Sequence, residues 1–137
     1  MAVENSWAYD LEDTIRMIIS DKCLDTLKAK YPNTRITDEA ESNQKAVFPT
    51  IYIHMLPASE LGQTIDGKTI NGVLATVQVT VTTNTTKADA RYVMSVISEA
   101  FKNMRFTGGA LPEYTDSDKL HQSVARFRRA IGANNRL

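Results

Sequence analysis

A chain of 137 residues, 42% hydrophobic and 23% charged, fits one α+β-sized globular domain over residues 1–137, with a core that needs no covalent staples. Its 16 basic and 16 acidic residues cancel, which argues against a chain built mainly to grip nucleic acid and leaves little charge repulsion to oppose self-association. The single Cys23 excludes an internal disulfide and a cysteine-rich zinc site and suits a reducing cytoplasm, while no apolar run reaches the roughly 18 residues of a membrane span.

The first residues, Met1-Ala2-Val3-Glu4-Asn5, lack the basic and apolar regions of a secretory leader, so none is expected. From about Ser6 to Lys30 the spacing predicts an amphipathic helix. Leu11, Ile15, Ile18, Ile19, Cys23, Leu24 and Leu27 recur three and four apart. Asp10, Glu12 and Asp13 crowd its first turns and Lys28 and Lys30 its last, as the helix dipole favours. Asn5 or Ser6 is the candidate cap, and Pro32-Asn33 should end the helix. For Trp7 and Tyr9 two readings stay open, packing inside or reaching a neighbour.

Thr34 to Thr37 reads as a short strand and polar Asp38 to Lys45 as a loop. Phe48, Ile51, Ile53 and Met55 then mark a buried strand, with Pro49 confined to its start or to an edge and Pro57 closing it. Ala58 to Asn71 reads as a loop, with Asp66-Gly67 placed for a tight hairpin turn. Gly72 to Thr83 is the most regular stretch. Val73, Ala75, Val77, Val79 and Val81 alternate with Thr76, Gln78, Thr80 and Thr82, the pattern of a strand with one buried face, expected to pair antiparallel with residues 48–56. The threonine face is either an ordinary exposed surface or one matched to a neighbour.

A second helix is expected from about Lys87 to Phe106, with Ala90, Val93, Met94, Ile97, Ala100, Phe101 and Met104 on one stripe. Thr85 or Thr86 is its candidate cap, Asp89 completes a capping box, and Gly108-Gly109 is the expected stop. Beyond Pro112 and an acidic turn at Asp116 to Asp118, residues 121–132 fit a helix or a strand. A strand is preferred, because the sheet needs another member and Gly132 ends it. Its alternation puts Ser123, Ala125, Phe127, Arg129 and Ile131 on one face and Val124, Arg126, Arg128 and Ala130 on the other. The expected fold class is α+β, a mostly antiparallel sheet of roughly four to five strands with two helices packed on one face.

Chemistry-bearing groups are sparse. His54 and His121 stand alone, without the spacing of a metal site. Cys23 sits on the apolar stripe of the first helix, where a thiol behaves as a small hydrophobe. Gly108-Gly109 follows a helix and so lacks the geometry of a phosphate loop. No catalytic residue, cofactor or metal is therefore expected. The one concentration of charge is Arg126-Phe127-Arg128-Arg129, open to phosphate contact but read first as a solvated or inter-subunit patch, since phosphate grip takes many such contacts.

The order of these pieces carries a resemblance. A first helix is followed by Phe48-Pro49-Thr50-Ile51-Tyr52-Ile53, a loop bearing Gly and Asp, and the strand Val77-Gln78-Val79-Thr80-Val81. The helix with Ala88-Asp89-Ala90 and the late run Arg126-Phe127-Arg128-Arg129-Ala130-Ile131-Gly132 complete it. Over roughly residues 8–132 this resembles the tail terminator (tail completion, or head-to-tail joining) proteins of tailed bacteriophages, on diffuse motifs of which the two strands are the best. The resemblance implies a non-enzymatic virion protein of the tail and neck, assembled in the bacterial host cytoplasm. It would form a homo-oligomeric, hexameric ring that caps the tail tube protein, stops tube polymerisation and offers a face to head–tail connector or neck proteins. Genomic DNA would pass through the channel without sequence-specific binding, and no membrane would be involved. Another neck protein (head-closure or connector adaptor), a tail tube subunit and, more remotely, a small nucleic-acid-binding protein are the alternatives. On this reading Glu60, Asp66, Lys68, Arg126, Arg128 and Arg129 are candidate subunit-interface or lumen positions.

Overall fold

The computed structural model describes residues 6–37, 48–57, 59–63, 70–108, 113–117 and 120–132. The chain runs α1 (Ser6–Tyr9), α2 (Leu11–Lys30), β1 (Arg35–Thr37), β2 (Thr50–Met55), β3 (Ser59–Gln63), β4 (Ile70–Thr83), α3 (Lys87–Asn103), β5 (Glu113–Ser117) and β6 (Leu120–Gly132). It is an α+β fold built on a six-stranded sheet of order β1-β2-β4-β6-β5, with β3 also pairing β4. Only the short β1 is parallel to its neighbour; every other pairing is antiparallel.

The expected first helix is two helices. The backbone turns at Asp10, whose amide donates to the Ser6 carbonyl (3.0 Å) before α2 begins, and the Asp10 carbonyl accepts both the Thr14 amide and its hydroxyl. The buried stripe of α2 is Leu11, Ile15, Ile19, Cys23 and Leu27, each one turn from the last. Tyr31 ends the helix, its amide reaching the Leu27 carbonyl at 2.7 Å, and the Thr34 hydroxyl satisfies the Tyr31 carbonyl at 2.7 Å. Trp7 packs against the core, whereas Tyr9 is 74% exposed.

Helix α3 starts as its sequence predicts: the Thr86 hydroxyl accepts the Asp89 amide at 3.1 Å. Its stop is different. The helix ends at Asn103, and the left-handed residue that turns the chain is Arg105, φ 66°, well before Gly108. The reason is tertiary: Met104 and Phe106, on either side of Arg105, are both 2% exposed, and their burial fixes the turn before the glycines are reached.

Within residues 58–71, read as a loop, the described residues 59–63 and 70–71 are strand. From Met55 to Ser59 the chain advances four residues while β4 advances three, from Val77 to Leu74. That is a bulge. It absorbs Pro57 and lets β3 continue along the same edge of β4 as β2. The Asp66-Gly67 turn and the polar 38–45 segment lie outside the described residues. Strand β5, hairpinned to β6 from Glu113↔Val124 to Ser117↔Leu120, takes in part of what reads as an acidic turn. The 120–132 segment is a strand, β6, lying along almost all of β4.

Among the described residues the buried apolar side chains of the sheet lie on one side. Val73, Ala75, Val77, Val79 and Val81 of β4, Ile51 and Ile53 of β2, and Ala125, Phe127 and Ile131 of β6 are each no more than 6% exposed and meet the apolar stripes of α2 and α3. At its centre Phe101 stacks on Phe127, centroids 4.6 Å apart and planes 3° from parallel, and meets Phe106 edge-on at 5.2 Å. Phe101 is the sole α3 aromatic in this stack, so Phe101→Ala should cost about 3–5 kcal/mol in urea unfolding, with Phe101→Leu costing less because it leaves a smaller void.

Candidate interaction surface

Strand alternation gives the sheet a second face, opposite the helices, formed by Tyr52 and His54 of β2, Thr76, Gln78, Thr80 and Thr82 of β4, and Val124, Arg126 and Arg128 of β6. The register arranges these residues in rows. His54, Gln78 and Arg126 lie side by side across three strands, then Tyr52, Thr80 and Val124, then Thr50, Thr82 and Gln122. Tyr52 stacks on His54 at 5.6 Å. The Arg126 Nε donates to Gln78 Oε1 at 3.1 Å, and Gln122 Nε2 to the Thr82 hydroxyl at 3.4 Å. Leu74 on this face is 37% exposed. Most of the row residues are half-buried by one another, while Arg126 and Arg128 are exposed.

The structure divides the arginine run. Arg126 and Arg128 share the open face. Arg129 lies on the helix side, where Nη1 donates to the Met104 carbonyl at 2.9 Å, just past the end of α3. A cation there meets the partial negative charge of the helix terminus. Arg128 is held at its backbone: its amide and carbonyl each bond Thr107 at 2.8 Å. Of the other candidate positions, Glu60 lies in β3 opposite Val73, and Asp66 and Lys68 fall outside the described residues. Tyr52 and His54 escape a search for charged clusters, although their spacing of two already puts them on one face of a strand.

The histidines do not converge. His54 pairs with Gln78 and its Nδ1 lies 4.0 Å from Glu12 Oε2, while His121 is opposite Thr83. The same Glu12 oxygen accepts the Met55 amide at 3.1 Å, closing the β2 edge beyond the end of β1. Among the described residues no group of three His, Cys, Asp or Glu side chains is placed to hold a metal. Cys23 is core: it is 2% exposed, and burial, opposed by the charge of Lys22, pushes its thiol up to about 11.

A second polar constellation joins the two long helices. Asp89 accepts hydrogen bonds from the Tyr31 hydroxyl (2.6 Å) and the Thr85 hydroxyl (2.5 Å), and Lys30 Nζ sits 4.1 Å from the centroid of the Tyr92 ring. The bonds from Thr85 and Tyr31, against the opposing effect of burial and aided by Thr86 and Lys30, hold the Asp89 carboxyl below its ordinary value. Burial, then the hydrogen bond to Asp89 and its charge, then Tyr92, push the Tyr31 phenol up to about 12. This cluster fastens the start of α3 to the end of α2.

Comparison with protein-family models and with curated proteins finds no match to either.

Two predictions follow from these placements. Arg129→Ala should lower stability by about 1–2 kcal/mol, because it strips the α3 terminus of its cation and leaves a carbonyl without its donor. Arg126→Ala and Arg128→Ala should each stay within about 0.5 kcal/mol of the parent in the same urea titration, as exposed side chains do. The second concerns pH. Folding raises the Tyr31 pKa, so its contribution is whole below about pH 10 and fades as pH climbs to about 12. Folding lowers the Asp89 pKa, so that contribution is whole above the ordinary carboxylate range and fades as pH falls through it. Tyr31→Phe should flatten the alkaline limb of a stability–pH curve, and Asp89→Asn the acid limb.

Proposed function

We propose that the chain is a structural subunit of a tailed-phage neck, a tail terminator that joins copies of itself into a ring on the end of the tail tube and presents a face to the head connector. The observation that carries this reading is the one-sided sheet: α2 lies against β1 and β2 and α3 against β4 and β6, all on the side of the buried valines, and the Tyr52–His54–Gln78–Arg126 face carries no helix among the described residues. A ring subunit needs such unlike surfaces, because head-to-tail contacts join two different faces of the same chain and close by rotation. Net neutrality fits repeated copies in close contact. The order helix, Phe-Pro strand, long strand, helix and arginine-bearing strand agrees with that of the resemblance, with β3 lying where the resemblance has a loop bearing Gly and Asp.

On this reading the protein performs no bond-making; its work is geometric. Capping a tube requires that one ring surface match the last layer of tube subunits while the opposite surface does not, so that growth stops.

The test is to add the purified chain to growing tail-tube polymers and follow their length by electron microscopy and light scattering. Sub-stoichiometric protein should halt elongation and appear as a ring at tube ends. A strict monomer that never binds a tube end, at any concentration, would overturn the proposal.

A further inference from the structure

Cations from two segments meet at the β6 edge. Arg126 and Arg128 come from the strand, two residues or about 7 Å apart on one face. Lys102 and Arg105 come from the end of α3 and the turn after it, where the Arg105 amide bonds the Lys102 carbonyl at 2.9 Å. The chain then runs alongside β6: Thr107 exchanges both backbone bonds with Arg128 at 2.8 Å, and a β-carbon on Gly108 would lie 3.5 Å from the Arg126 carbonyl. All four cationic residues are exposed. Arg126 uses only Nε, on Gln78, and the side chains of Lys102, Arg105 and Arg128 take no partner among the described residues. Glu99, one turn before Lys102, and Glu113, paired with Val124, border the group, so cations outnumber carboxylates here in a chain whose net charge is zero.

Neither capping nor packing accounts for this surplus. Arg129 already answers the carbonyl end of α3, through the Met104 carbonyl at 2.9 Å. Arg105 adopts φ 66°, a left-handed conformation in which glycine or asparagine is at ease and an arginine is strained. Its neighbours Met104 and Phe106 are buried, so the strained residue is the one that carries its charge outward. Strain held at an exposed cation points to a use outside the chain.

We infer that this corner is a binding site for the phosphate backbone of nucleic acid, held by Lys102, Arg105, Arg126 and Arg128. Charge complementarity calls for an anion, and the residues between the cations decide which. Asn103, Thr107 and Gly108 are exposed there, and amide, hydroxyl and backbone groups beside arginine and lysine are the usual partners of phosphate oxygens. An acidic protein surface fits less well, because protein interfaces are centred on apolar side chains and no large apolar residue of 102–108 or 125–129 is exposed. Contacts of this kind read no base sequence. Four of them make a weak site, in keeping with a chain that is neutral as a whole. The inference goes beyond the ring reading and does not rest on it; the tube-end experiment decides the ring by itself.

Fluorescence anisotropy of a short labelled DNA duplex, titrated with the full chain across a range of salt, tests it. The parent should bind at low salt, and log affinity should fall against log salt with a slope of about −3 to −4 for four phosphate contacts. Arg126→Ala with Arg128→Ala should cut low-salt affinity at least about tenfold and make the slope shallower by about 2. Arg105→Gly separates binding from folding. It should weaken binding and take about 1 from the slope, while thermal melting shows a fold at least as stable as the parent, since glycine relieves the left-handed turn. Should that variant melt lower, the double arginine variant, melting like the parent, decides the matter. Lys22→Ala with Lys28→Ala, at exposed positions of α2, should leave affinity and slope unchanged. No binding at low salt, a slope unmoved by the corner variants, or an equal loss in the α2 variant overturns the inference. Polyglutamate that displaces the duplex as well as unlabelled duplex does, at equal charge, would assign the corner to an acidic protein and overturn it too.

Discussion

The long ladder between β4 and β6 is the constraint on which the rest of the molecule depends. It pairs Gly72 with Gly132 at one end and Thr83 with His121 at the other, in unbroken antiparallel register. The other strands build outward from these two: β2 and β3 take the outer edge of β4, β5 takes the outer edge of β6, and β1 adds to β2. A slip of one residue in this ladder would turn Phe127 and Ile131 outward and Arg126 and Arg128 into the apolar layer. Burial of charge makes that alternative costly, so the apolar alternation of both strands holds the register.

The ladder also explains why the arginine run works as two units. A strand sends neighbouring residues to opposite faces, so adjacency in sequence becomes separation in space. Arg129 serves the interior, closing the carbonyl end of α3 at Met104, while Arg126 and Arg128 are free to face outward from the sheet. One segment thus ties the second long helix to the sheet and gives the opposite face its charge. The stacked rings of Phe101 and Phe127 make the same connection in the apolar layer.

Helix α2 is held differently. It touches the sheet through β1 and β2 and lies along α3, and its polar fastenings sit at its two ends: Glu12 on the β2 edge, and Tyr31 on Asp89 at the start of α3. Between those ends Met17, Asp21 and Asp25 are exposed among the described residues. The described residues therefore form two layers whose outer surfaces differ in chemistry, one of threonine, glutamine, aromatic and arginine side chains, the other with exposed Asp13, Asp21 and Asp25 standing among exposed Lys22, Lys28 and Lys30. The proposed head-to-tail ring would use that difference, since such contacts join two unlike surfaces of one chain.

Period alone determined much of this. The apolar recurrence along residues 11–27 and 90–101 specified the helices and their buried sides, and the valine alternation from 73 to 81 specified the central strand, because a core must be covered and only these spacings present one continuous face. Thr86 with Asp89 was legible as a cap because that contact is local. Contacts distant in sequence were not legible. The bulge that carries β2 on into β3 changes the parity of the positions opposite the core, hiding a strand behind Pro57 and Gly62. The helix stop at Arg105 depends on the burial of Met104 and Phe106, and the bond of Arg129 to the Met104 carbonyl exists only once α3 is packed on the sheet. Spacing fixes which side of an element is apolar, but which elements share a layer, and what their other sides then face, is set by packing between residues far apart in the chain.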